Sequence, residues 1–87
     1  MIKITHIQPA GPAQLDLTFS DGSAAHWSAA DLIARSTELT APLADPAYFS
    51  RAFIEAGALA WPNGLELSPT ALHQRLSEAG MLRKAAA

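Results

Sequence analysis

Apolar and polar positions alternate most regularly from Leu15 to Ser20: Leu15, Leu17 and Phe19 share one face, Asp16, Thr18 and Ser20 the other. That two-residue period predicts a half-buried strand. Ile2 and Ile4 against Lys3 and Thr5 predict an earlier strand over residues 2–7, which the Pro9-Ala10-Gly11-Pro12 segment should break, because proline cannot donate to a sheet ladder. Ala24 to Trp27 reads as the strand returning from a turn at Ser20-Asp21-Gly22. Two registers are available to this hairpin. A two-residue Asp21-Gly22 loop turns Trp27 toward the polar face. A three-residue loop pairs Phe19 with Ser23, Leu17 with Ala25 and Leu15 with Trp27, so every large apolar side chain lies on one face. A one-residue slip loses the burial of a tryptophan, which favours the three-residue loop closed by Gly22 in the left-handed conformation.

Ser28 and Asp31 signal a helix start before Ala29–Arg35, and Asp45-Pro46 signals a second, short helical turn through Tyr48, Phe49 and Arg51. Between them, residues 36–44 read as connection. Two further hairpins follow, one turning at Gly57 and one at Pro62-Asn63-Gly64, where a three-residue loop again pairs Trp61 with Leu65 and Leu59 with Leu67. Ser68-Pro69 caps a final helix to about Ala79, with Leu72, Leu76 and Ala79 inward and Gln74, Arg75 and Glu78 toward water. Gly80 ends it, and Met81 or Leu82 is placed to fold back on Leu76. The fold class predicted is α+β: a small antiparallel sheet of about five short strands, with short helices and a C-terminal helix packed on the sheet. The expected core is Leu15, Leu17, Phe19, Trp27, Phe53, Leu59, Trp61, Leu67, Leu72 and Leu76. Residues 1–82 are expected to form a single compact domain, with 83–87 a frayed tail.

The chain has 87 residues and a formal net charge of −2. Hydrophobic residues make up 49%, but 19 of them are alanine, which leaves material for one modest core. Six Lys and Arg spread along the chain do not make the basic field of a nucleic-acid binder acting alone. No apolar stretch is long enough to span a bilayer, and the start of the chain lacks a signal-peptide core, so a cytoplasmic location is expected. Cysteine is absent, which removes disulfides, thiolate metal sites and cysteine catalysis.

Phe19-Ser20-Asp21-Gly22, Pro42-Leu43-Ala44-Asp45-Pro46-Ala47-Tyr48-Phe49 and Trp61-Pro62-Asn63-Gly64, in that order, resemble the small bacterial family catalogued as domain of unknown function 2442. The likeness covers residues 2–73. Trp27-Ser28 and Leu72-His73 depart from the family's usual phenylalanine-acid and leucine-tyrosine pairs. The resemblance implies a compact α+β domain, no catalytic residues to carry over, and a habit of pairing with another small protein encoded alongside. Some relatives continue into a helix-turn-helix domain, for which the residues after the last helix here are too few.

Candidate chemistry is sparse. His6, His26 and His73 could converge on a metal with Asp16 or Asp21 as an oxygen donor, but no two have short ligand spacing, and surface histidines are the expectation. Asp21 in an Asp-Gly turn is expected to cap its own backbone. Ser20, His26 and Asp16 can be written as a triad, without the strained elbow that presents a nucleophilic serine. The five glycines are dispersed one per turn and form no phosphate loop. Trp61 in its turn admits a ligand-stacking role, but alternation with Leu59, Leu65 and Leu67 places it in the core. Tyr48 projecting outward beside Arg51 has the composition of a binding hot spot and is the predicted partner surface. The expected function is therefore a non-catalytic protein-interaction or regulatory module, in the manner of the antitoxin half of a two-gene system, without cofactor or metal. The alternative is an accessory domain of a DNA-bound transcriptional regulator. The expected partner is the product of a neighbouring gene. The sparsely charged first strand also suggests a homodimer through its edge.

Overall fold

The computed structural model describes residues 1–85, and the chain folds as α+β in two antiparallel sheets rather than the single sheet of about five strands. The first contains β1 (Ile4–Gly11), β2 (Gln14–Phe19), β3 (Ser23–Ser28) and β7 (Arg83–Lys84), in the order β1-β2-β3-β7. The second is β4 (Phe53–Glu55), β5 (Ala58–Ala60) and β6 (Glu66–Leu67), in chain order. Helices α1 (Ala30–Arg35), α2 (Pro46–Phe49) and α3 (Pro69–Glu78) fill the connections, with a 3₁₀ turn over Ala41–Ala44.

The three-residue loops at Gly22 and Gly64 both form. Leu15 pairs with Trp27 and Leu17 with Ala25, while the Gly22 N–H donates to the Phe19 carbonyl at 3.1 Å with Gly22 at φ +87°. In the second sheet Leu59 pairs with Leu67, and the Gly64 N–H donates to the Trp61 carbonyl, again at 3.1 Å. The register that collects the large apolar side chains on one face is the one adopted, as burial demands. Leu15, Leu17, Phe19, Trp27, Leu59, Trp61, Leu72 and Leu76 are all buried.

Two members of the expected core sit elsewhere. Phe53 is 40% exposed and Leu67 only half-buried. Phe53 and Ile54 are consecutive, so they point to opposite sides of β4. Ile54 lies opposite fully buried Leu59 and takes the inner side, leaving Phe53 outside. Their place is taken by Ile4, Leu43, Phe49 and Leu65, all buried.

Three boundaries also differ. β1 continues through Pro9 to Gly11 and runs directly into β2, because the strand pairs on one side only and its register shifts between Pro9 and Gly11. A proline that need not donate is tolerated on such an edge. The helix cap moves by one residue: Ser28 Oγ accepts from the Ala30 N–H, and Ala29 stands at the N-cap. Arg83 and Lys84, expected to fray, instead pair with Ala24 and Ser23, and the Ala85 N–H donates to the Gly22 carbonyl at 2.8 Å. The end of α3 steers them there. The Gly80 N–H donates to the Ser77 carbonyl and the Met81 N–H to the Leu76 carbonyl, the double bond of a Schellman cap with Gly80 at φ +69°. Leu82 then packs on the core and draws the following residues alongside β3. Ala86 and Ala87, the rest of the expected tail, lie outside the described residues.

The sheets are joined at one side by the Ile4 N–H, which donates across to the Gly57 carbonyl at 2.8 Å. At the other side, β3 and β6 do not meet. α1 and α3 lie across that opening.

Candidate functional site

The three histidines occupy three separate environments. His6 Nδ1 lies 3.3 Å from the hydroxyl of Thr5 on the exposed edge strand. On the outer face of the first sheet, His26 sits between Asp16, with Nδ1 to Oδ1 at 3.1 Å, and Gln14, with Nε2 to Oε1 at 2.7 Å. This follows from the register, which sets Asp16 directly opposite His26. His73 Nε2 lies 2.8 Å from Asp21 Oδ2, and its ring meets Phe19 edge-on at 5.1 Å between centroids. Among the described residues no three His, Cys, Asp or Glu side chains gather where they could hold a metal ion. Ser20 Oγ accepts from the Lys3 N–H, at the hairpin turn, so the written triad of Ser20, His26 and Asp16 is not assembled by these contacts.

Asp21 caps its own turn, as its position before Gly22 predicts. Its Oδ1 accepts from the Ser23 N–H at 2.9 Å and the Ser23 hydroxyl at 2.6 Å. These two bonds, followed by the contact with His73, hold its carboxyl from the ordinary 3.8 down to about 2. The sequence does not foreshadow the link to His73, because the two are 52 residues apart. Since the folded-state value lies below the unfolded one, the stabilisation is present above about pH 4 and is lost as pH falls toward 2. Asp21→Asn should therefore flatten the decline in melting temperature between pH 4 and pH 2, read by circular dichroism. An equally steep decline in the variant would show that Asp21 does not govern this acid limb.

Tyr48 differs from the outward-facing residue expected. It is half-buried against the core, and its hydroxyl accepts from the Asn63 N–H at 3.0 Å. Asn63 in turn donates from Nδ2 to the Leu39 carbonyl, so Tyr48 braces the Trp-Pro-Asn-Gly turn. Arg51 remains exposed nearby in sequence. Trp61 is 1% exposed, and its Nε1–H donates to the Phe49 carbonyl at 3.1 Å, which makes it a core residue with its polar handle satisfied.

Besides a hollow of about 260 Å³ between β1 and α2, the molecule has a concave opening between β3 and β6. It is a groove of about 320 Å³ floored by Trp27, Leu72 and Leu76 and walled by Leu32 and Leu67. Arg35, at the last turn of α1, and Arg75, on α3, stand on its rim and continue along an adjoining furrow toward Glu66 and Ser68. Asp31 lines the β3 end. The ion pairs among the described residues are His26–Asp16 and His73–Asp21, so neither guanidinium is matched by an acid within 4.0 Å. The helical periodicity of residues 69–79 sets Arg75 on the solvent face, and Arg35 carries no signal of its own. The spacing of Leu72, Arg75 and Leu76 on α3 holds the available signal, an arginine bordering an apolar stripe. That α1 lies beside it could not be read from either helix alone.

Comparison with known proteins finds no family model that matches the chain, and no curated protein or solved structure similar to it. The resemblance to domain of unknown function 2442 thus rests on the three segments quoted above.

Proposed function

We propose that this chain is a non-catalytic module that holds another protein, with the groove between β3 and β6 as its docking surface. The groove itself carries the proposal: an apolar floor opens to solvent between two arginines that no acid of the described chain neutralises. An apolar centre with arginine on the rim is the composition that concentrates binding energy at interfaces. The two histidine–carboxylate pairs serve structural bonds: Asp21 caps its turn and holds His73, and His26 is bonded to Asp16 and Gln14. A second protein, rather than a second copy, suits the arginine rim. The edge strand β1, which suggested a homodimer, already donates from Ile4 to the Gly57 carbonyl of its own chain and carries Pro9 farther along.

The test is co-expression with the product of the neighbouring gene, followed by titration calorimetry on the purified pair. A one-to-one complex is expected, and Arg35→Glu with Arg75→Glu should weaken it roughly a hundredfold, since charge reversal removes attraction and adds repulsion. Both residues are exposed, so the double variant should keep the parent melting temperature. The groove is ruled out as the docking surface if binding survives the double variant unchanged. No complex at all removes the proposed function.

A further inference from the structure

We infer that the groove takes its partner as an added β-strand: an extended segment that pairs with the outer edge of β3 and sets an acidic side chain between Arg35 and Arg75. This rests on the interaction reading above and specifies its chemistry.

The edge supplies the first argument. In an antiparallel strand the N–H and C=O of alternate residues point to the same side. Gly22 accepts from Ala85 on the outer side of the hairpin, and Ala24 faces Arg83 of β7. The same parity turns the main-chain groups of His26 and Ser28 outward, away from β2. On the inner side, the Ala29 N–H donates to the Ala13 carbonyl, which agrees with that alternation. β7 pairs with β3 no farther than Ala24, because the Met81 N–H is drawn back to Leu76 at the end of α3. The lane beyond, beside His26 to Ser28, opens into the groove. It is roughly 10 Å long, room for about three residues at 3.3 Å each.

The unpaired edge selects the form of the occupant: an extended segment pairs with the outward main-chain groups of His26 and Ser28, which a helix, its own backbone groups bonded internally, leaves without partners.

Charge selects the sequence. Arg35 and Arg75 come from different helices and border both the groove and its adjoining furrow, so a carboxylate in the lane meets guanidinium donors from two sides. Asp31 and Glu66 lie at opposite ends of this combined surface and would discourage further acids there. One acid flanked by apolar residues is therefore favoured over an acidic run. Alternate residues of a strand point oppositely, which sends apolar neighbours of the paired backbone onto Trp27, Leu72 and Leu67.

Panning the whole chain against a displayed library of random heptapeptides tests this without knowledge of the natural partner. Enrichment of one Asp or Glu flanked by β-branched or aromatic residues is expected. The best sequence, synthesised with blocked ends, should bind at least tenfold more weakly after acid-to-amide replacement in the peptide. The same loss is expected against Arg35→Ala with Arg75→Ala, exposed positions that leave the melting temperature in place. N-methylation at alternate peptide amides should abolish binding, and methylation at the intervening ones should be tolerated. Amide resonances of His26 and Ser28 should shift on titration. Failure to enrich any sequence, binding indifferent to acid or arginine, or uniform tolerance of N-methylation would each overturn the strand. If the partner complex is nonetheless disrupted by charge reversal of the two arginines, the docking surface stands and this mode of using it falls.

Discussion

Replacing Trp61 with alanine lowers stability by about 3–5 kcal/mol, the largest effect expected of any single substitution here. The side chain is 1% exposed and packs between Trp27, at 6.3 Å between ring centroids, and Phe49, at 5.7 Å. It thereby connects β3 of the first sheet, the end of β5 in the second, and α2. Its Nε1–H also satisfies the Phe49 carbonyl at 3.1 Å, the last residue of α2. Alanine removes the ring contacts, leaves a cavity among residues fixed by three different elements, and takes one of two donors from that carbonyl, which keeps its bond from the Ala52 N–H at 3.2 Å. A domain of this length has about 5–10 kcal/mol in total, so the variant should be largely unfolded on modest warming. Trp61→Phe separates the contributions. It keeps most of the ring volume and loses the donor, for which about 0.5–1.5 kcal/mol is expected because the Phe49 carbonyl keeps its bond from Ala52. Urea titrations of both variants provide the check. A parent-like midpoint for Trp61→Ala would show that the two sheets do not depend on this contact.

The sequence predicted both glycine-closed hairpins because each presented a choice with unequal burial. At Ser20-Asp21-Gly22 one register buries Trp27 and the other exposes it, and at Pro62-Asn63-Gly64 the same logic applies to Trp61. Elsewhere the choice was even. Phe53 and Ile54 are adjacent and both apolar, so nothing local decides which faces inward; Leu59 across the ladder decides it for Ile54. Leu43 and Phe49 differ again. Their segment has no period because a 3₁₀ turn and a single helical turn are too short to show one, yet both residues are buried. The tail at Arg83-Lys84 carries no apolar signal of its own. It becomes a strand through a cap ending at Leu76 and a neighbour at Ala24. The groove follows the same rule. Trp27, Leu72 and Leu76 were legible as core residues, but a groove is a place where elements fail to meet, and no local pattern records that β3 and β6 stay apart.

At the opposite side the sheets do meet, and Gly57→Ala should cost roughly 2–4 kcal/mol there. Gly57 follows Ala56 in the two-residue turn between Glu55 and Ala58, with both turn residues at positive φ, +51° and +87°. An L-residue at the second of these costs about 1–2 kcal/mol in backbone strain alone. Gly22, at the same φ of +87° with open space around it, measures that part by itself. At Gly57 an added Cβ would come within 2.7 Å of both Cβ and Cγ of Lys3. The Lys3 Cβ is fixed by a backbone whose N–H and carbonyl are both bonded to Ser20, so rotating the lysine side chain gives no relief. The chain must separate instead, and the Ile4–Gly57 bond of 2.8 Å between the sheets goes with it. Gly57→Ala should thus exceed Gly22→Ala by about 1–2 kcal/mol in urea unfolding. Lys3→Gly, which removes the obstructing carbons, should erase most of that excess when combined with Gly57→Ala in a double-mutant cycle. Equal costs at the two glycines, or no coupling to Lys3, would mean that the sheets are not held this closely at β1.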